Sequence, residues 1–278
     1  MFQRRYGVPP ARLGGADQEQ TQLETTASIS VAIPALNEGA RLPLLVEELV
    51  EVGLRVQAPA AEFIISDDGS RDGDARRYEE LAREGQARFT AAGTPHRIRC
   101  LRAPRNEGKG SAIRRAWSDA AVGTRWFAFL DADGAVSGSE FWRLAAMLSD
   151  AAPFDVLAAS RVKMAGRSVD RKLFRHLQGR VFATLTEQLF QLGFYDTQCG
   201  LKFLRAGFLL PVLERLVENR WLLDVELLVL LRRQGARLRE EPIDWHEPGG
   251  SKVRFGVDPL LMFEGLVRMR ARLGGDAS

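Results

Sequence analysis

Short apolar runs that close on acidic or glycine-rich turns alternate with helix-patterned stretches along the first half of this chain. The runs are Ser28 to Pro34, Glu62 to Ser66, His96 to Leu101 and Arg125 to Leu130. Between them, helical spacing of apolar residues covers about 42–52, 72–84 and 110–121. Strands that alternate with helices argue for a parallel sheet, because a helix packed back on the sheet returns the chain to the end where the preceding strand began. The pattern predicts an α/β fold with a mostly parallel sheet flanked by helices. A further strand is expected over 154–159.

Beyond residue 160 the rhythm changes. Residues 170–192 have helical spacing and many basic side chains, and 224–234 reads as another helix. Residues 237–245 have strand character, and Asp258-Pro259 resembles an N-cap with proline at the first helical position. The expected organisation is a flexible leader over 1–27, one domain over 28–254, and an amphipathic C-terminal helix with its tail over 255–278.

At 278 residues, with 45% hydrophobic and 27% charged side chains, the chain can bury a substantial core, which excludes a disordered or disulfide-stapled protein. A formal charge of +3 is too small to imply nucleic-acid binding. Cys100 and Cys199 provide neither a disulfide framework nor metal-ligand spacing, and Cys199 reads as a packing residue. Apolar runs long enough to span a bilayer are missing, and the polar leader does not resemble a signal peptide. The expected location is cytoplasmic, with peripheral attachment to a membrane face left open.

Chemistry concentrates at the predicted strand ends. In an open parallel sheet these ends face the crevice where ligands bind. Asp131 and Asp133, two apart after the fourth strand, would emerge on one side of extended backbone and could hold a hard divalent cation. Pro34-Ala35-Leu36-Asn37-Glu38, Asp67-Asp68-Gly69-Ser70 and Asn106-Glu107-Gly108-Lys109-Gly110 fall at the same edge. Asp68 could accept from a base N–H, Gly108 and Gly110 could let backbone approach a nucleotide, and Lys109 adds positive charge. Each segment alone is ordinary turn chemistry. Four converging on one edge point to a site.

These motifs resemble family 2 glycosyltransferases with the GT-A fold, and within them the dolichyl-phosphate β-glucosyltransferases and bacterial polyprenyl-phosphate relatives. The likeness runs from about Ser30 to Arg272. It includes Ser160-Arg161, Asp196-Thr197-Gln198-Cys199-Gly200-Leu201-Lys202, Trp221 with Asp224-Val225-Glu226-Leu227, and Trp245 with Gly250-Ser251-Lys252.

The resemblance implies a nucleotide-sugar donor, with UDP-glucose favoured over GDP-mannose, and Mg²⁺ or Mn²⁺ held by Asp131 and Asp133. Pro34, Ala35, Asn37, Glu38, Asp68, Gly108, Lys109 and Asp131 would line the donor pocket, and the loop with Ser251 and Lys252 would close over the diphosphate. Related mannose synthases carry Gln where this chain has Ala135, which fits the glucosyl branch better. The implied acceptor is a polyprenyl phosphate; a soluble phosphate or hydroxyl compound is the alternative, and a non-catalytic nucleotide-sugar-binding protein ranks low.

A phosphate acceptor is already anionic, so it needs cationic steering rather than a base. Arg161, Arg171, Lys172 and Arg175 suit that role, with Arg161 and Arg175 expected beside the reacting groups. Gln198 belongs to the acceptor-side motif. Asp196, Asp224 and Glu226 are the candidate bases for a hydroxyl acceptor, or else ion-pair partners of the basic cluster. Residues 259–273 mix large apolar side chains with Arg268, Arg270 and Arg272, the profile of a helix lying on an anionic membrane or packing on its own domain.

Overall fold

The computed structural model describes residues 28–170, 173–246 and 257–274. A seven-stranded sheet has the order β3-β2-β1-β4-β7-β5-β8. Its strands are β1 (Ile29–Ala35), β2 (Ala61–Asp67), β3 (Arg97–Arg102), β4 (Trp126–Leu130), β5 (Val156–Ser160), β7 (Leu201–Arg205) and β8 (Leu238–Pro242). The pairs β1–β2, β2–β3, β1–β4 and β5–β8 are parallel, whereas β7 runs antiparallel to both β4 and β5. Two short strands, β6 (Val169–Asp170) and β9 (Trp245–His246), pair separately.

Side-chain alternation assigns each strand residue to a core. On β4, Trp126, Ala128 and Leu130 join one apolar cluster, while Phe127 and Phe129 join the other. The first cluster is closed by α1 (Leu42–Gly53), α2 (Asp72–Ala91) and α4 (Gly138–Ala145). Against the opposite face pack α3 (Lys109–Ser118), α6 (Ala206–Leu213) and α7 (Leu223–Arg233). There, α8 (Val257–Gly274) buries Leu266, Met269 and Leu273, and α5 (Leu173–Phe190) contributes Phe182 and Leu185.

Several expectations shift. α2 runs on to Ala91 rather than ending near 84, because Phe89 is buried in the core. The stretch 237–245 divides into β8 and β9 around Pro242. β7, α4 and α6 are additional elements. Asp131 to Gly134 turns instead of extending β4, with Gly134 at φ +73° and the Ala135 N–H donating to Asp133 Oδ1 at 3.1 Å. The two aspartates are therefore joined by a turn rather than by strand alternation.

Candidate active site

The strand directions bring the motifs to one edge. The Asp68 N–H donates to Ala35 O at 2.8 Å and the Ala103 N–H to Asp67 O at 2.9 Å, so the ends of β1, β2 and β3 are laced together. Because β7 is antiparallel, its start lies beside the end of β4: Leu130 pairs with Leu201, and the Asp131 N–H donates to Gly200 O at 2.9 Å. Residues 196–200 thus arrive at Asp131 by the reversal of one strand. A Cβ on Gly200 would collide with the Asp131 carboxylate, so glycine is required for this approach.

At this edge the charges alternate. Lys109 Nζ, at the first turn of α3, lies 2.7 Å from Asp131 Oδ1 and 3.6 Å from Asp224 Oδ2 on α7. Lys202, fully buried on β7, donates to Asp224 Oδ1 at 2.7 Å and to Cys199 O at 2.9 Å. The Phe129 ring lies under both ammoniums, 5.1 Å from that of Lys109 and 5.2 Å from that of Lys202, with Trp221 5.9 Å from Lys109. Burial by itself would depress the Lys109 pKa, but Asp131, Asp224 and Asp133 outweigh it and hold the ammonium above its ordinary range. Burial raises the Asp131 carboxyl, Lys109 opposes that, and Asp133 and Asp224 add to the rise.

Next to this row, Arg161 and Asp196 form a two-pronged ion pair, with Nε–Oδ2 at 2.6 Å and Nη2–Oδ1 at 2.7 Å. The Arg161 N–H also donates to Oδ2 at 3.0 Å, and the guanidinium stacks 5.6 Å from the Trp245 ring. Glu240 fixes the segment from behind by accepting from the N–H groups of Tyr195 and Asp196 at 2.7 and 2.8 Å. Although burial opposes it, Arg161 pulls the Asp196 carboxyl well below the usual carboxylate range.

On the donor side, Asp68 accepts from the Glu107 N–H at 3.1 Å and the Gly108 N–H at 2.7 Å. Both oxygens hold the loop that leads into Lys109. Gly108 has φ +106°, and added Cβ atoms at Gly108 and Gly110 would strike the backbone of residues 218–219. A close backbone approach is made to this neighbouring loop, where the Gly110 N–H donates to Asn219 O at 2.8 Å. Asn37, at φ +52°, accepts from the Arg71 N–H at 3.0 Å, while Glu38 binds the Arg41 guanidinium at 2.6 and 2.7 Å. Pro34 and Ala35 close β1 at the same edge.

Glu226 is not brought to the row. It is fully buried and accepts from the N–H groups of Val217 and Glu218 at 3.1 and 2.9 Å and from Arg272 at 2.7 Å, tying α8 to α7. Gln198 donates to Trp221 O at 3.4 Å. Arg175 falls within α5, but its side chain is outside the described residues, as are Arg171, Lys172, Ser251 and Lys252. Cys199 is a core residue whose thiol is pushed up to about 12, first by burial and then by Asp196. Lys202 is the residue of this row to which sequence reasoning gives no role. Its signal is a lysine inside the apolar run Leu201–Leu204.

Among the described residues, no group of three or more His, Cys, Asp or Glu forms a cation cage. Asp131 and Asp133 would nonetheless suit a hard divalent ion, whose positive charge would answer theirs. They are two oxygen donors close enough to repel one another, and their charge is only partly answered by Lys109.

A profile described as Glycosyl transferase family 2 matches residues 30–210. The chain belongs to this family. It is a glycosyltransferase. A dolichyl-phosphate beta-glucosyltransferase of Saccharomyces cerevisiae is 28% identical over 253 residues, 87% of this chain and 74% of the yeast protein. The Homo sapiens protein of the same name is 29% identical over 257 residues, covering 89% of this chain and 76% of its own. Among solved structures, glucosyl-3-phosphoglycerate synthase from Mycobacterium tuberculosis, in complex with Mn²⁺, UDP and glucosyl-3-phosphoglycerate, superposes with TM-score 0.56. It is 16% identical, with 94% of this chain and 85% of that one covered. A Pyrobaculum calidifontis mannosyltransferase in complex with GDP-Man and Mn²⁺ gives TM-score 0.51 at 16% identity, covering 91% and 66% of the two chains. The fold is GT-A.

Proposed function

We propose that this glycosyltransferase moves glucose from UDP-glucose to a polyprenyl phosphate, with Asp131 and Asp133 holding Mg²⁺ or Mn²⁺. The observation that carries the reading is the likeness to dolichyl-phosphate beta-glucosyltransferases over nearly nine-tenths of the chain. When bound, the cation supplies positive charge to the departing diphosphate. UDP-glucose is α-linked, so a β-linked product requires inversion. A phosphate oxygen of the acceptor bonds to C1 of the sugar while the C1–oxygen bond to UDP breaks.

The state of the carboxylates supports an anionic acceptor. Asp196 is bound by Arg161, Asp224 by Lys202, and Glu226 by Arg272 and two backbone N–H groups. A carboxylate engaged in this way is a poor base for a hydroxyl, whereas an ionised phosphate needs none. Arg161 lies close enough to Asp131 for the two charges to interact, which suits a cation that steers the acceptor toward the donor. Arg171, Lys172 and Arg175 would extend that cationic entry, and Ser251 and Lys252 would cover the diphosphate.

The chain also carries a surface for peripheral contact with an anionic membrane. On α8, Phe263 and Val267 are 47% and 48% exposed, and Arg270 shares their stripe at i, i+4 and i+7. Among the described residues, no helix is long and apolar enough to cross a membrane.

The test is a donor-by-acceptor turnover assay with Mg²⁺ or Mn²⁺, offering UDP-glucose or GDP-mannose with and without a short polyprenyl phosphate. Lipid-dependent UDP release from UDP-glucose is expected. Turnover that no lipid phosphate accelerates would remove the acceptor assignment, and faster turnover with GDP-mannose would remove the donor. Flotation with anionic vesicles should retain the protein, and no retention would discard the membrane surface.

A further inference from the structure

We propose that Asp224, fixed by the buried ammonium of Lys202, is a second seat for the Lys109 ammonium, and that this seat lets Asp131 exchange Lys109 for a divalent cation. The inference rests on the reading of Asp131 as a cation ligand, and it makes Asp224 and Lys202 positioning residues.

The geometry poses a conflict. Lys109 Nζ is 2.7 Å from Asp131 Oδ1, on the carboxylate offered to the cation. A divalent ion and an ammonium held that close to one carboxylate repel one another. Lys109 must withdraw, and its ammonium, on a side chain only 12% exposed, is best held by another acceptor.

Asp224 is placed to be that acceptor. It is 2% exposed, and its two oxygens are divided between two lysines. Oδ1 takes the Lys202 hydrogen bond at 2.7 Å, whereas Oδ2 faces Lys109 at 3.6 Å, beyond hydrogen-bond length. A movement of roughly an ångström would close that gap. Lys202 keeps Asp224 from turning, since its ammonium is anchored a second time on Cys199 O at 2.9 Å. Phe129 lies beneath both lysines and Trp221 flanks Lys109, so the ammonium keeps its cation–π contacts while it shifts. The fully buried Lys202, which faces no crevice, thereby holds open the place into which Lys109 moves.

The test is binding of Mn²⁺ alone, followed by electron paramagnetic resonance of the free ion, in wild type, K109M, D224N and the K109M/D224N double variant. K109M should bind Mn²⁺ about tenfold tighter, because the competing ammonium is gone. D224N should weaken binding in the presence of Lys109 about fivefold more than in the K109M background. An equal effect of D224N in both backgrounds would overturn the proposal, because Asp224 would then act on the ion through its charge alone. If D224N does not fold, K202M/D224L removes the buried pair together and is put through the same comparison with and without K109M. D131N is the control: Mn²⁺ binding that survives D131N unchanged would instead overturn the cation-site reading, and this proposal with it.

Discussion

Arg161 holds Asp196 by three hydrogen bonds, two from its guanidinium at 2.6 and 2.7 Å and one from its own backbone N–H at 3.0 Å. The pair fastens the end of β5 to the segment that precedes β7, so it is structural and lies at the crevice as well. R161K keeps the charge and loses the planar fork. It is expected to raise the KM for the phosphate acceptor about tenfold while leaving UDP affinity unchanged. A matching loss of UDP affinity would place Arg161 on the donor side.

The same pair sets an acid dependence. The carboxyl of Asp196 is held below its unfolded value near 3.9, so its contribution is complete above that value and is lost as pH falls through the lower folded value. D196N leaves Arg161 without its partner and should cost about 3 kcal/mol near neutral pH. The difference in stability between wild type and D196N should shrink below about pH 4. Urea unfolding across that range measures it, and a gap independent of pH would show that the carboxylate is not the stabilising form.

Asp68 should control the donor pocket through backbone. Without its carboxylate, the N–H groups of Glu107 and Gly108 lose their acceptors, at a cost of about 1–3 kcal/mol. D68A should therefore weaken UDP binding about tenfold by releasing the loop ahead of Lys109, and D68N, which keeps one acceptor oxygen, should fall between the two. Calorimetry with UDP and Mn²⁺ distinguishes them. Equal affinities for D68A and wild type would refute the positioning role.

Two glycines with opposite surroundings test the close approach near residue 219. At Gly110 an added Cβ would strike the backbone of Glu218 and Asn219, whereas at Gly73, in the first turn of α2, it would meet nothing within 4 Å. Gly110→Ala should destabilise by about 1–3 kcal/mol. Gly73→Ala should stabilise by about 0.5–1 kcal/mol, because alanine loses less chain entropy in a helix. Thermal melts of the two variants should move in opposite directions.

The strands β1 to β4 and their helices were legible because each apolar run ends on a polar turn and sheet periodicity needs no partner to be seen. What sequence did not reveal is contact between distant segments. β7 contains Lys202, and a charged side chain inside a five-residue run reads as a loop until Asp224 is seen to satisfy it. α4 has a local signal in Ser137-Gly138-Ser139-Glu140, where Ser137 Oγ accepts from the Glu140 N–H at 3.1 Å, but its eight residues are short for periodicity. Asp131, Asp133 and Lys109 stand out by position. That Lys109 lies on Asp131, that Asp68 faces backbone, and that Glu226 serves α8 all depend on side-chain directions that spacing does not encode.

His96 gives a prediction at the opposite end of the sheet. It is 3% exposed, its ring centroid lies 4.6 Å from that of Trp142 and 5.5 Å from that of Phe89, and Nδ1 accepts from the Ala61 N–H at 3.2 Å. Burial disfavours the charged ring and lowers its pKa to about 4. The unfolded chain takes up the proton near pH 6.5, before the folded protein does, so the stabilising contribution is complete above about 6.5 and declines as pH falls toward the folded value. A separation of about 2.5 units corresponds to about 3 kcal/mol over that window. His96→Asn keeps an acceptor for Ala61 without a titrating group, so its stability should be lower at neutral pH and should fall less steeply between about pH 6.5 and 4.5. Equal slopes for the two proteins would mean that His96 takes its proton within the fold.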